Sequence, residues 1–138
     1  MSHPYFHVVG YSVTSERVND GRSLAKASLE LEVGGKRTRH SATGVGPVHA
    51  LEEALRACLA SDYPEVESLR LCDYQVSVVD AELGTSARVR VIIQATDGFA
   101  KWDAGSVSEN VIDASFEALC SATVMGILQT RLERQRTA

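Results

Sequence analysis

The chain has 138 residues, of which 44% are apolar and 23% are charged, values close to those of ordinary water-soluble globular proteins. This composition excludes a disordered, collagen-like or coiled-coil chain, and the length leaves room for one domain but not for a second catalytic domain of full size. The net charge of −4 includes no block of like charges, which argues against nucleic acid and membrane surfaces as partners.

The amino-terminal sequence and the cysteines indicate a soluble, cytoplasmic protein. The first ten residues lack the basic region, the long apolar stretch and the cleavage site of a signal peptide, and no apolar run approaches the ~20 residues needed to cross a bilayer. The cysteines have no CxxC spacing and lie within apolar patterns, as expected of reduced thiols in a core. They are Cys58, Cys72 and Cys120.

The sequence repeats itself with an offset of 63 residues. The segment GYSV at 10–13 returns as DYQV at 73–76. Four glycines typical of turns align at the same offset, as the pairs Gly21 with Gly84 and Gly35 with Gly98. The pattern predicts a single domain over 1–138 that contains two copies of one unit, at about 5–62 and about 68–130.

Copy one has the pattern of three antiparallel strands followed by a helix. Apolar and polar residues alternate over 25–33, which is the period-two pattern of a strand with one solvent-facing side. Strand-like runs lie before and after it, at 6–14 and 36–42. Apolar residues then recur at helical spacing from Pro47, which is typical of the first helical position, and predict a helix over about 47–60.

Copy two repeats this order. The predicted strands cover 69–79, 87–95 and 99–104. Ser106 and Glu109 have the spacing of a capping box, which predicts the start of a second helix that continues to about Thr130.

The predicted fold class is α+β, a tandem βββα repeat with antiparallel three-stranded sheets and two main helices packed on one face. The second helix is apolar around more of its circumference than a three-stranded sheet can cover, so we expect it to meet another subunit or domain. The polar, arginine-containing tail at 131–138 is expected to fray.

No residues with catalytic or metal-binding spacing stand out. The four histidines are His3, His7, His40 and His49. They form no HxH, HExxH or His/Cys cluster, and no serine lies in a GxSxG segment. The carboxylates Asp73, Asp80 and Asp113 lie on different predicted elements, and the sequence does not pair them for acid–base chemistry. We expect no catalytic residue, no metal and no cofactor.

Two glycines and a proline lead directly into the first predicted helix, in TGVGPVHAL at 43–51. Glycine lets the backbone approach a ligand closely, and the N–H groups of a first helical turn carry a partial positive charge that suits a carboxylate. A tight turn without a ligand is the plainer interpretation. Copy two offers a matching helix entrance at 106–111, so the repeat favours two such sites related by a pseudo-twofold axis.

The alternation within the first strand of copy two places Tyr74, Val76 and Val78 on one face. An apolar wall that ends in a phenol suits either the edge of a core or a pocket for a small amino acid. Trp102, the only tryptophan, is expected to be a packing residue. The residues alone therefore indicate a binding module for a small anion.

Several of these segments occur in the order of a known family. They are TGVGPVHAL at 43–51, DYPE at 62–65, LCDYQV at 71–76, GTSARVRV at 84–91, DG at 97–98, Trp102, and VSENVIDAS at 107–115. Together with the residues between them, they resemble the C-terminal regulatory domain of 2-isopropylmalate synthase and citramalate synthase, called the LeuA allosteric or dimerisation domain. The resemblance extends from about Tyr5 to Leu128.

This resemblance implies a domain of two βββα units that forms a homodimer and binds an end-product amino acid, leucine or isoleucine. Binding would inhibit a metal-dependent TIM barrel that condenses acetyl-CoA with a 2-oxo acid in branched-chain amino-acid biosynthesis. The metal-binding HxH segment of that barrel is absent from this chain, so no catalysis is expected from these residues alone. The DYxV and VSENVIDAS segments are closer to citramalate-type sequences, which favours isoleucine.

The resemblance also implies an effector pocket at matching motif positions. The implied contacts are Gly46, Val48 and His49 at the polar end of the amino acid, and Leu71, Tyr74, Val78, Ala87 and Val111 around its side chain. Val45 stands where the family usually has asparagine, and His49 stands where aspartate or alanine is common. A pure dimerisation module that has lost effector binding is one alternative, and a small independent enzyme is another.

Overall fold

The computed structural model describes residues 2–137, with side chains described as far as Arg136. The chain divides between Glu67 and Ser68 into two compact units. Residues 2–67 are called unit 1 and residues 68–137 unit 2. Each unit is a three-stranded antiparallel sheet with one long helix, so the predicted α+β class and the tandem βββα order are confirmed.

Unit 1 contains the strands β1 (His7–Arg17), β2 (Ser23–Val33) and β3 (Lys36–Gly44), hydrogen-bonded in that order. The helix α1 (Pro47–Leu59) packs on β2 and β3, and a short 3₁₀ helix follows at Pro64–Ser68. The predicted elements are confirmed, including the proline at the start of α1.

Unit 2 repeats this arrangement with β4 (Arg70–Val78), β5 (Val89–Thr96), β6 (Lys101–Ser108) and α2 (Val111–Thr137). The strand order is β4-β5-β6, and α2 packs on β5 and β6. A 3₁₀ segment at Ala81–Ser86 lies between β4 and β5, so β5 begins two residues later than the sequence predicted.

Each unit buries one face of its central strand under its helix. The alternating side chains of β2 that point into the core are Ala25, Ala27, Leu29, Leu31 and Val33, and those of β5 are Val91, Ile93 and Ala95. The helices contribute Leu51, Leu55 and Leu59 from α1 and Phe116, Leu119 and Ile127 from α2. Trp102 packs on α2 as predicted, and its indole Nε1 donates a hydrogen bond to the carbonyl of Ala122 at 2.9 Å.

The two units share irregular features as well as regular ones. The edge strand of each unit has a β-bulge, between Val8 and Gly10 in β1 and between Leu71 and Asp73 in β4. The second bulge lies 63 positions after the first, which is the offset of the sequence repeat. The four aligned turn glycines all have positive φ, a conformation that is unfavourable for residues with a Cβ atom. They are Gly21, Gly35, Gly84 and Gly98.

The start of α2 differs from the predicted capping box. Ser108 still belongs to β6, and the helix begins at Val111. Asn110 caps it, because its Oδ1 accepts hydrogen bonds from the N–H groups of Ile112 at 2.8 Å and Asp113 at 3.2 Å. The capping-box prediction was wrong because β6 runs four residues beyond its predicted end and occupies the Ser106 to Ser108 positions.

The end of α2 also differs from the prediction, since the helix continues through the tail that was expected to fray and ends at Thr137. Gln129 and Glu133 form a hydrogen bond one turn apart, at 3.4 Å. Arg134 and Arg136 lie in the last turn, where positive charge interacts favourably with the negative end of the helix dipole.

Within residues 2–137, α2 is the one helix whose length and composition would allow it to cross a membrane, over Val111–Arg136. The segment contains no unbroken apolar run of about 20 residues, as expected, because polar residues such as Ser115 and Glu117 interrupt it, but it is hydrophobic on average. Half of its most apolar stretch is buried in the protein. This is the arrangement of a core helix packed on its own sheet.

The cysteines follow the core prediction at two positions of three. Cys58 and Cys120 are buried, whereas Cys72 is exposed at the bulge of β4. Burial raises the pKa of the Cys58 thiol to about 11. Burial also raises the pKa of Cys120, and the negative charge of Glu117 adds to that effect. The two buried thiols therefore stay protonated and uncharged at neutral pH, and they pack in the core like apolar residues.

Candidate ligand-binding site

The loop that enters α1 leaves its first-turn N–H groups without a side-chain cap. Gly46 is the N-cap residue, and its carbonyl accepts the first helical hydrogen bond, from the N–H of Ala50 at 3.0 Å. Because glycine has no side chain and Pro47 has no N–H, the donors that point out of this turn are those of Val48 and His49. The entrance of α1 therefore offers two backbone donors at the positive end of a helix dipole.

Gly46 is not required there by conformation or by packing. Its φ of −157° is extended backbone that any residue adopts, and a Cβ built on it would have no atom within 4 Å. Gly44 is different, because a Cβ there would lie 2.6 Å from the backbone nitrogen of Ala50. The tight-turn interpretation explains Gly44, and it leaves the open space beside Gly46 unexplained.

His49 closes the loop onto the helix. Its Nδ1 accepts a hydrogen bond from the N–H of Val45 at 3.2 Å, which places the proton of the neutral imidazole on Nε2. That Nε2 faces Oε1 of Glu53 at 3.7 Å, one turn along α1. The Val45 side chain is 86% exposed, so the residue that replaces the family asparagine fills no space in the loop.

A cleft of about 530 Å³ lies in unit 1 next to this loop. It is lined by Thr14, Glu16, Leu24, Ala25, Lys26, Thr43, Gly44, Val45 and His49. Its volume is in the range of small-molecule sites. Of the predicted effector contacts, only His49 lines it.

In unit 2, the helix-facing side of the edge strand β4 is only partly covered. Tyr74, Val76 and Val78 pair with the buried side of β5, yet α2 packs on β5 and β6, and Tyr74 is 41% and Val78 56% exposed. The three side chains therefore form an apolar wall accessible to solvent and are not part of the core. These exposed fractions exclude the interpretation in which the three side chains are buried at the edge of the core.

The bulge in β4 brings Leu71 to the same wall. Strict alternation would place Leu71 and Tyr74, three residues apart, on opposite faces of the strand. In the structure Leu71 pairs with Ala95 and Tyr74 pairs with Ile93, which are both on the buried side of β5, because the extra residue of the bulge lies between them. Leu71 is half-buried and extends the wall.

A hydrogen-bonded chain joins this wall to the first turn of α2. The hydroxyl of Tyr74 lies 2.7 Å from Oγ of Ser115, and that Oγ donates to the carbonyl of Val111 at 2.7 Å. Ser115 was not predicted from the sequence to belong to this surface. Its spacing of four residues from Val111 on a helix was a signal that the two side chains share a face.

The remaining predicted contacts in this unit have different surroundings. The Val111 side chain is exposed at the first position of α2. Ala87 is buried, and its N–H donates to the carbonyl of Gly84 at the end of the 3₁₀ segment. Next to it, the Arg88 guanidinium hydrogen-bonds to Asp80 and lowers the pKa of that carboxyl group.

The second predicted anion site is not supported. The N–H groups of Ile112 and Asp113 already bond to the side chain of Asn110, so the entrance of α2 has no donors to match those of α1. The prediction of two equivalent sites was wrong because Asn110 caps α2, whereas the N-cap of α1 is a glycine.

Asp73, one of the candidate acid–base residues, has a local structural role. Oδ1 of Asp73 accepts the N–H of Tyr74, and its Oδ2 accepts the side-chain amide of Gln75, each at 2.9 Å. Across residues 2–137, no group of three or more His, Cys, Asp or Glu side chains is arranged to hold a metal ion.

The fold defines a duplicated βββα domain, with open backbone donors at α1 in unit 1 and an exposed apolar wall on β4 in unit 2. The chain matches the family described as the LeuA allosteric (dimerisation) domain over residues 2–127, and it belongs to that family.

Among curated proteins, the chain is similar to three that are named (R)-citramalate synthase. The identity is 41% over 116 residues for the protein of Geobacter sulfurreducens, covering 83% of this chain and 22% of that protein. It is 39% over 130 residues for Aquifex aeolicus, covering 94% and 25%, and 38% over 125 residues for Streptomyces coelicolor, covering 91% and 23%. The chain therefore spans about a quarter of the length of these relatives.

Proposed function

We propose that this chain is the regulatory domain of a citramalate synthase-type acyltransferase, that it binds leucine or isoleucine for feedback inhibition, and that it mediates homodimerisation. The family description and the names of the relatives support this proposal. Acyl transfer would take place on a catalytic barrel that these residues do not contain, in a cytoplasmic enzyme of branched-chain amino-acid biosynthesis.

The observation that carries effector binding is the open space at Gly46. Serine, threonine, aspartate or asparagine is the usual N-cap because its side chain satisfies a first-turn donor. Here a glycine without a packing or conformational role leaves the N–H groups of Val48 and His49 to an external acceptor. The carboxylate of a free amino acid is an acceptor of the right charge for the end of a helix dipole.

The apolar wall on β4 is a surface suited to the side chain of a branched-chain amino acid. Leu71, Tyr74 and Val78 offer aliphatic and aromatic surface, and Val111 is exposed at the near end of α2. Burial of a four-carbon side chain against this surface would contribute roughly 25 cal/mol for each Å² of apolar area removed from water. The similarity to citramalate synthases favours isoleucine over leucine as the effector.

Calorimetric titration of the 138-residue chain with isoleucine, leucine and valine tests this proposal. At an isoleucine concentration of about a hundred times Kd, the folded state should gain about 2.7 kcal/mol, which raises the melting temperature by several degrees. Heats of binding and melting temperatures that do not change with any of the three amino acids at millimolar concentration would contradict it.

Val78 and Val107 provide a matched pair of variants for this titration. Both are exposed valines, but Val78 lies on the proposed wall, and Val107 lies opposite Arg90 on the other face of the sheet. Val78→Ala should weaken isoleucine binding about fivefold, the effect of roughly 1 kcal/mol of lost apolar contact. Val107→Ala should leave the affinity unchanged, and equal losses in both variants would argue against the wall.

A pure dimerisation module without effector binding is the second candidate function. Exposed apolar side chains on α2 favour it, namely Met125, Leu128 and Leu132, whose spacing of three and four residues places them along one side of the helix. A stable dimer in light scattering, together with no heat of binding from any branched-chain amino acid, would support this candidate over effector binding.

A further inference from the structure

The hydrogen bonds around Ser115 have a defined direction. A serine hydroxyl carries one proton, and Ser115 uses it toward the carbonyl of Val111 at 2.7 Å. The hydroxyl of Tyr74, also 2.7 Å away, must therefore donate its own proton to Oγ of Ser115. The chain of bonds runs from the phenol on β4 through Ser115 to the first turn of α2.

Other hydroxyl side chains on α2 show that this arrangement is specific to Ser115. Thr123 and Thr130 also bond to the carbonyl four residues before them, which is common for serine and threonine within helices. Ser115 additionally accepts a bond from a side chain on a strand, and it is fully buried, with 0% of its surface exposed.

This bond holds the end of an aromatic ring that is otherwise exposed. Tyr74 lies on the side of β4 that α2 covers only in part, so the packing of neighbouring side chains does not restrict its ring on every side. A buried hydrogen bond to Ser115 selects one orientation. An aromatic side chain that is already ordered loses less conformational entropy when a ligand packs against it.

We propose that Ser115 is a positioning residue of the effector site. It fixes the ring of Tyr74 before the amino acid binds, and it thereby raises the affinity of the chain for the amino acid. This inference rests on the proposed function, and it adds a residue that does not touch the ligand. Ser115 acts through Tyr74, so its effect on affinity depends on the phenolic hydroxyl.

The first measurement needs no ligand. Three-bond couplings at the Cα–Cβ bond of isotope-labelled Tyr74 should indicate a single χ1 rotamer in the unmodified chain and averaging between rotamers in Ser115→Ala. The control is Thr123→Ala, which removes a similar bond within α2 and should leave the Tyr74 couplings unchanged. A single unchanged rotamer of Tyr74 in Ser115→Ala would overturn the positioning role.

The second measurement is a double-mutant cycle on isoleucine affinity. Ser115→Ala and Tyr74→Phe should each weaken binding about three- to tenfold, and the double variant should be no weaker than either single one. Losses that multiply in the double variant, or unchanged affinity in Ser115→Ala, would overturn the proposal. If the unmodified chain binds neither isoleucine nor leucine, the proposed function fails, while the rotamer measurement still decides whether Ser115 positions Tyr74.

Discussion

The two glycines in the loop before α1, Gly44 and Gly46, differ in whether the fold has room for a side chain. At Gly44 a side chain would collide with the backbone of the helix, so that position is set by the fold. At Gly46 the backbone is extended and the surroundings are open, so the fold tolerates a side chain there. Function is the better explanation for Gly46, since a capping side chain would stabilise the helix and would occupy the proposed carboxylate position.

The substitution Gly46→Asp should therefore separate stability from binding. An aspartate at the N-cap satisfies a first-turn donor and interacts with the helix dipole, which should raise the free energy of unfolding by about 0.5 kcal/mol. The same carboxylate should weaken isoleucine binding at least about tenfold, because two like charges would compete for one position.

The matched variant for urea denaturation is Gly44→Ala, which should lower the free energy of unfolding by about 1 to 3 kcal/mol because its Cβ would lie 2.6 Å from a backbone atom. A destabilised Gly46→Asp that binds isoleucine normally would show that Gly46 is a structural glycine instead.

The two long helices occupy equivalent positions in the repeat and begin differently. α1 begins at a glycine N-cap and proline, whereas α2 begins at Asn110, whose side chain accepts two first-turn hydrogen bonds. A further hydrogen bond joins the start of α2 to β6, because Oγ of Ser108 accepts the N–H of Asn110 at 3.1 Å. Of the two helix entrances in the repeat, the one at α1 therefore has open donors and the one at α2 is capped.

Asn110→Ala should lower the free energy of unfolding by about 1 kcal/mol in urea denaturation, because the N–H groups of Ile112 and Asp113 lose their acceptor. The neighbouring Glu109→Ala is the control and should change stability by less than about 0.5 kcal/mol. A larger loss of stability in Glu109→Ala than in Asn110→Ala would instead support the capping box that the sequence indicated at Ser106 and Glu109.

The regular elements could be predicted from the sequence because hydrophobic periodicity determines them. The alternation in β2 and the proline of α1 placed both elements within two residues of their observed bounds. The bulge in β4 and the cap of α2 were not predictable, since a single inserted residue changes which side chains face the core without changing the composition.

The candidate site was partly predictable for the same reason. Strand alternation placed Tyr74, Val76 and Val78 on one face, but their exposure depends on which strands α2 covers, a tertiary property. The role of Ser115 depends on a contact between residues 41 positions apart in the chain. Such a contact leaves no local pattern in one sequence.

At the scale of the whole chain, the repeat yields two units with the same strand order, the same bulge and the same turn glycines. The units differ in chemistry. Unit 1 presents uncapped backbone donors at α1, and unit 2 presents an apolar wall with a fixed phenol at β4. The first surface suits a carboxylate, and the second suits an apolar side chain.

The central claim is that this chain binds a branched-chain amino acid. The most direct test follows backbone amide and methyl chemical shifts of the labelled chain during titration with isoleucine. The largest changes should fall on the amides of Val48 and His49 and on the methyl groups of Leu71, Val78 and Val111. Changes confined to the cleft around Leu24 and Lys26, or no changes at saturating isoleucine, would contradict it.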